Sequence, residues 1–115
     1  MNIKIYHNPI CSKSRQTLAL LEKKSTKFKI IEYLKNLLSF DEIKEIVEKL
    51  AIKPIDLVRK NEQIWKDNYK GKVMNDVEII KAMEINPKLI ERPIVINEKY
   101  AVIARPPEKV LSLLD

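Results

Sequence analysis

One cysteine, one histidine and one glycine occur in 115 residues. No apolar run approaches the roughly 20 residues that a membrane span needs. Each scarcity removes a class of function. A single cysteine excludes an internal disulfide framework. A dithiol redox turn would need a second cysteine at position 14, where the chain has Ser14. A phosphatase-type Cys-x5-Arg loop would need arginine at position 17, where the chain has Thr17. One histidine and one cysteine fall short of a zinc ligand set unless carboxylates complete it, and Gly71 alone cannot build a Gly-rich phosphate cradle. The start of the chain does not read as a targeting segment, because Met1 runs directly into a short strand pattern and a polar turn. Together these features indicate a cytoplasmic protein with a free, reduced thiol.

What is present fits one globular domain with a core of its own, since hydrophobic residues make up 45% and charged residues 33%. The net charge of +6 is compatible with nucleic acid, an acidic surface or small oxyanions. Lysines interleave with glutamates, as in "EIKEIVEKL", so most of this charge reads as solvated surface. No basic stripe with interleaved aromatics is present, which argues against a nucleic-acid-binding module.

Along the chain, "NIKIY" (2–6) alternates like a strand, and Asn8-Pro9 breaks it. Residues 12–24 read as a helix with Leu18 and Leu21 inward, and "KFKIIEY" (27–33) as a second strand, giving a parallel β-α-β crossover. Ser39 with Glu42 forms a capping-box pattern ahead of Ile43, Ile46, Val47 and Leu50, which share one helical face. A short helix is expected from Pro54, a polar loop over 59–74, and a helix from a second capping box at Asn75 and Glu78 through about Met83. Asn86-Pro87 ends it. "RPIVIN" and "YAVIAR" read as hairpin strands, and Pro106-Pro107 opens a last helix with Val110, Leu111 and Leu114 inward. The economical architecture is α/β: a four-stranded mixed sheet flanked by helices, with residues 1–35 and 90–115 forming the βαβ and ββα core and 39–89 a mainly helical insertion.

The chemistry concentrates in "YHNPICSKSR", residues 6–15. The thiolate is the reactive form of cysteine, and an ordinary thiol near pKa ~8.5 is mostly protonated in the cytosol. Cys11 follows a strand and stands just before a helix, where unsatisfied backbone N–H groups lower the thiol pKa. Arg15, one turn on, can add a fixed positive charge, and Ser12 and Ser14 can donate hydrogen bonds to sulfur or to an oxyanion. His7 either orients the loop or, as imidazolium, favours the thiolate.

The 22 basic residues divide into 18 lysines and four arginines. The lysines are spread along the chain, whereas Arg15, Arg59, Arg92 and Arg105 all fall beside element ends. Arginine offers a rigid fork of donors that grips tetrahedral oxyanions, which lysine does not. Pro93, directly after Arg92, could hold a cis bond beside the thiol or simply open an edge strand.

"YHNPICSKSR", "LVRKNE", "RPIVI" and "ARPPE", in this order and spacing, resemble the glutaredoxin-coupled arsenate reductases, a branch of the thioredoxin-like fold related to the Spx-like regulators. The resemblance covers nearly the whole chain. It implies that Cys11 is the nucleophile, that His7 supports the thiolate, that Arg59, Arg92 and Arg105 bind the oxyanion, and that Pro93 is the fold's cis-proline. It also implies a role in arsenic detoxification. Cys11 would attack arsenate to give a covalent intermediate. Glutathione, as co-substrate, would then reduce the arsenic and leave a Cys11–glutathione mixed disulfide for glutaredoxin to resolve. No metal or bound cofactor is implied. Two alternatives remain on the residues: an Spx-like transcription regulator that binds RNA polymerase, many of which use the Cys-x-x-Cys switch that Ser14 denies, and a thiol reductase for another oxyanion or substrate.

Overall fold

The structure is a computed structural model and describes residues 2–24 and 27–114. The chain divides into two compact units, one of Met1–Asn36 with Arg92–Asp115 and one of Leu37–Glu91.

In the first unit, strand β1 (Ile3–Tyr6) is followed by helix α1 (Ser12–Lys23) and strand β2 (Phe28–Ile31), which pairs parallel to β1 from Ile3↔Phe28 to Tyr6↔Ile31. Strands β3 (Ile94–Ile96) and β4 (Ala101–Ile103) form the C-terminal hairpin. β3 pairs antiparallel to β1, giving the sheet order β2-β1-β3-β4. The inner strands carry the most apolar sequence: all of β3 is buried, and Ile3 and Ile5 of β1 are 2% and 0% exposed. Leu21 of α1, Val95, Ala104, Val110 and Leu113 complete that core, with Leu18 packed against it.

The C-terminal segment is not an α-helix. Pro107–Leu113 is a 3₁₀ helix, and its buried residues are Pro107, Val110 and Leu113, three apart. A three-residue turn brings that spacing onto one face. Leu113 therefore enters the core where the 3.6-residue period points to Leu111.

In the second unit, α2 (Phe40–Leu50) begins at a complete capping box. Glu42 N–H donates to Ser39 Oγ at 3.2 Å and Ser39 N–H to Glu42 Oε1 at 3.0 Å. Asn75 and Glu78 repeat the arrangement at the start of a later helix, Asp76–Ile85. These side chains satisfy donors that a helix start leaves without partners. Pro54 opens a 3₁₀ turn through Leu57. The segment expected to be loop contains a helix, α3 (Gln63–Asn68), which makes the later one α4. Its N-cap, Glu62, makes no side-chain cap bond, and Trp65 is its one buried residue. The helix is fixed by that ring, which stacks on Tyr69 at 5.4 Å and 28°. Tyr69 Oη in turn accepts from Asn86 Nδ2.

Candidate active site

The topology gathers one end of the first unit's sheet. β1 ends at Tyr6, paired with Ile94 at the start of β3, and Ile94 pairs with Ile103 at the end of β4. The hairpin ladder continues through Ala104 N–H to Pro93 O at 2.9 Å. His7 follows β1 directly, Arg92 lies two residues before the start of β3, and Arg105 two residues after the end of β4. The Arg92–Pro93 and Arg105–Pro106 peptide bonds are both cis.

Cys11 is the N-cap of α1, with extended backbone, and it is 8% exposed. Arg105 reaches it from the hairpin, with Nη2 at 3.8 Å from Sγ, while Arg105 Nε donates to the Arg92 carbonyl at 2.8 Å. Burial pushes the thiol pKa up. The Ser14 backbone N–H and the guanidinium groups of Arg92 and Arg105 pull it down further, and the net result is a thiol lowered to about 7. About half of it is then thiolate at neutral pH.

The nearer neighbours in sequence act differently. Ser14 is fully buried, and its hydroxyl is engaged by His7 and Asn8. It lies 2.5 Å from His7 Nδ1 and accepts the Asn8 N–H at 3.0 Å. The Ser14 contribution to the thiol is its main-chain N–H. His7 is 6% exposed, and burial lowers its pKa against the opposing pull of Glu32, with Arg15 adding to the lowering. The imidazole is therefore neutral at pH 7 and orients the loop through Ser14; it brings no cation to the thiolate. The Arg15 guanidinium lies on the carbonyls of Pro9 and Ile10, at 2.9 and 3.0 Å, and is not among the groups that shift Cys11.

Arg59 belongs to the second unit. Its Nε lies 3.7 Å from Glu62 and 4.0 Å from Glu91, and its main-chain N–H donates to Leu89 O. Nη1 of Arg59 is buried with no hydrogen-bond partner among the described residues.

Sequence reasoning passed over Asn8 as a mere strand breaker. It is 6% exposed; its Oδ1 accepts the Ile10 N–H at 3.1 Å and its carbonyl accepts the Cys11 N–H at 3.0 Å. An Asx-turn ahead of proline was the available signal. Among the described residues no group of three or more His, Cys, Asp or Glu side chains could hold a metal ion, and no helix is long and apolar enough to cross a membrane.

Comparison with known proteins shows the fold and the family. The mixed sheet with its flanking helices is thioredoxin-like. A solved arsenate reductase from Vibrio cholerae superposes with a TM-score of 0.93 at 41% identity, covering 97% of each chain. An arsenate reductase from Haemophilus influenzae is 44% identical over 116 residues, 99% of this chain and 100% of the relative. The Escherichia coli protein YfgD, described as uncharacterized, is 38% identical over 97% of this chain and 96% of its own length. The model of the ArsC family matches residues 6–113, and on that match and these identities the chain belongs to the ArsC family.

Proposed function

We propose that this protein reduces arsenate to arsenite, with Cys11 as nucleophile and glutathione and glutaredoxin as the source of electrons. The observation that carries the reading is a solitary thiol, lowered to about 7, with Arg105 Nη2 at 3.8 Å from its sulfur. Such a site holds a nucleophile and an anion clamp together. The arsenate reductases among its relatives indicate the oxyanion.

The steps follow from one sulfur. Cys11 Sγ attacks As(V), an S–As bond forms, and one arsenate oxygen leaves as water after taking up protons. Arg92 and Arg105 offset the charge on the remaining oxygens, as donors fixed in advance do. A glutathione thiolate then attacks Sγ. The S–As electron pair passes to arsenic, which leaves as arsenite, As(III), and a Cys11–glutathione disulfide remains. Glutaredoxin takes the glutathione by thiol–disulfide exchange and regenerates Cys11. With Ser14 in place of a second cysteine, an outside thiol has to complete the cycle. Arg59 is proposed as a third substrate arginine on the strength of the "LVRKNE" motif and of its buried Nη1, which has no hydrogen-bond partner among the described residues.

The test is NADPH consumption in an assay coupled through glutathione reductase. Expected is arsenate-dependent turnover that needs both glutathione and glutaredoxin and disappears in Cys11→Ser. Folded protein that consumes no reductant on adding arsenate would overturn the reading, and co-purification with RNA polymerase subunits in that case would favour a regulator.

A further inference from the structure

Arg15 stands in the first turn of α1, where a cation opposes the positive end of the helix dipole, and no acidic residue in that turn offsets it. Its guanidinium instead reaches back over the preceding turn, Nη1 donating to both Pro9 O and Ile10 O. The rest of that turn is equally tied. Asn8 N–H goes to Ser14 Oγ, Ile10 N–H to Asn8 Oδ1, Cys11 N–H to Asn8 O, and Cys11 O accepts from Arg15 N–H. Every main-chain donor and acceptor from Asn8 to Cys11 is thus paired, and Arg15 supplies the partners of three carbonyls. Packing of the middle of the turn contributes little, because Pro9 is exposed and Ile10 is 84% exposed. The turn that presents the sulfur is held by hydrogen bonds.

We propose that Arg15 is a positioning residue: it locks the Asn8–Cys11 turn through the Pro9 and Ile10 carbonyls, and so fixes where the Cys11 sulfur sits, rather than acting on the thiol by its charge. The groups that act directly on the thiol are the Ser14 N–H, Arg92 and Arg105, with neutral His7 behind Ser14, and Arg15 is not one of them. Releasing the turn moves the sulfur away from those donors. The inference rests on Cys11 as the reacting group but not on arsenate as its substrate, and its test reads the thiol alone.

The full-length protein and Arg15→Met are alkylated with iodoacetamide across pH 5.5–9.5, at low salt and at 1 M KCl, with circular dichroism as the folding check. The expected result is a higher midpoint for Arg15→Met. Its rate at pH 7 falls severalfold, up to about 15-fold if the thiol returns to an ordinary midpoint of ~8.5. The difference persists at 1 M salt, where the screening length is only about 3 Å and an exposed charge acting through space is quenched. A difference that collapses in high salt, or none at either salt concentration, overturns the proposal. If Arg15→Met does not fold, Arg15→Gln is read by the same criteria.

Discussion

Removing Arg105 should make Cys11 a poorer acid by an amount the geometry allows to be worked out. Nη2 lies 3.8 Å from Sγ. Two unit charges at that separation interact by about 1 kcal/mol in a water-like dielectric and about 4 kcal/mol at an effective dielectric of 20. Arg105 is exposed, so solvent screens the pair and the lower figure applies. At about 1.36 kcal/mol for each tenfold change in acidity, the loss weakens the thiol about sixfold. A midpoint of about 7 then moves to nearly 8, and the thiolate fraction at pH 7 falls from about one half to about one seventh. The Arg105 Nε bond to the Arg92 carbonyl goes as well, so any displacement of Arg92 adds to the effect.

The assay is thiolate absorbance near 240 nm as a function of pH in Arg105→Ala, read against Cys11→Ser as the blank. Arg105→Lys should fall between wild type and Arg105→Ala, since it keeps a charge without the fork that spans sulfur and carbonyl. An Arg105→Ala midpoint that stays at the wild-type value, in a protein with unchanged circular dichroism, would refute the assignment of Arg105 as a thiolate partner. It would leave the Ser14 N–H and Arg92 to account for the acidity of Cys11.

Two further outcomes are expected. Cys11 is more acidic folded than unfolded, so the unfolded chain binds the extra proton. Its stabilising contribution is full above the unfolded midpoint near ~8.5 and is lost as pH falls through about 7. Buried His7, also lowered, acts in the same direction further down, its contribution being full above about 6.5 and lost on acidification. The urea midpoint should therefore fall from pH 9 to 7 in wild type but not in Cys11→Ser, and both proteins should lose stability below pH 6.5. Separately, Ser39→Ala removes the acceptor of the Glu42 N–H and should cost about 1 kcal/mol by urea denaturation, with the thiol midpoint unmoved.

Where a local signal existed, the fold could be read in advance. Both capping boxes are complete in the structure because their two bonds span only three residues and need no tertiary partner. The strands of the first unit lie within the expected stretches, shortened at their ends where pairing stops. Helix α3 was missed because a six-residue helix with one buried side chain has no apolar period and its N-cap makes no cap bond. What holds it is Trp65 on Tyr69 and Tyr69 under Asn86, the last of which is 17 positions from its ring partner. The C-terminal helix was expected with the wrong period, since proline at its start is equally compatible with three residues per turn.

The candidate site divides along the same line, and the division explains its chemistry. From the sequence, Arg15 was expected to add charge at the thiol, Ser14 to donate a hydrogen bond, and His7 either to add charge or to orient the loop. In the structure His7, Asn8, the Ser14 hydroxyl and Arg15 use their hydrogen bonds on one another and on the main chain of the turn. The arginines that shift the thiol arrive from the far hairpin, Arg105 being 94 positions away, because the ends of β1 and β4 meet the start of β3. Sequence shows that arginines cluster at element ends but not which ends meet. That arrangement also separates two tasks. A turn saturated by its own neighbours keeps the sulfur in place whatever occupies the site, while guanidinium groups carried on another element face the sulfur and can share their donors between it and an incoming anion. Substitutions in the hairpin should therefore change thiol acidity in proportion to charge and distance. Substitutions in the turn should change it only by moving the sulfur, a difference that salt dependence separates.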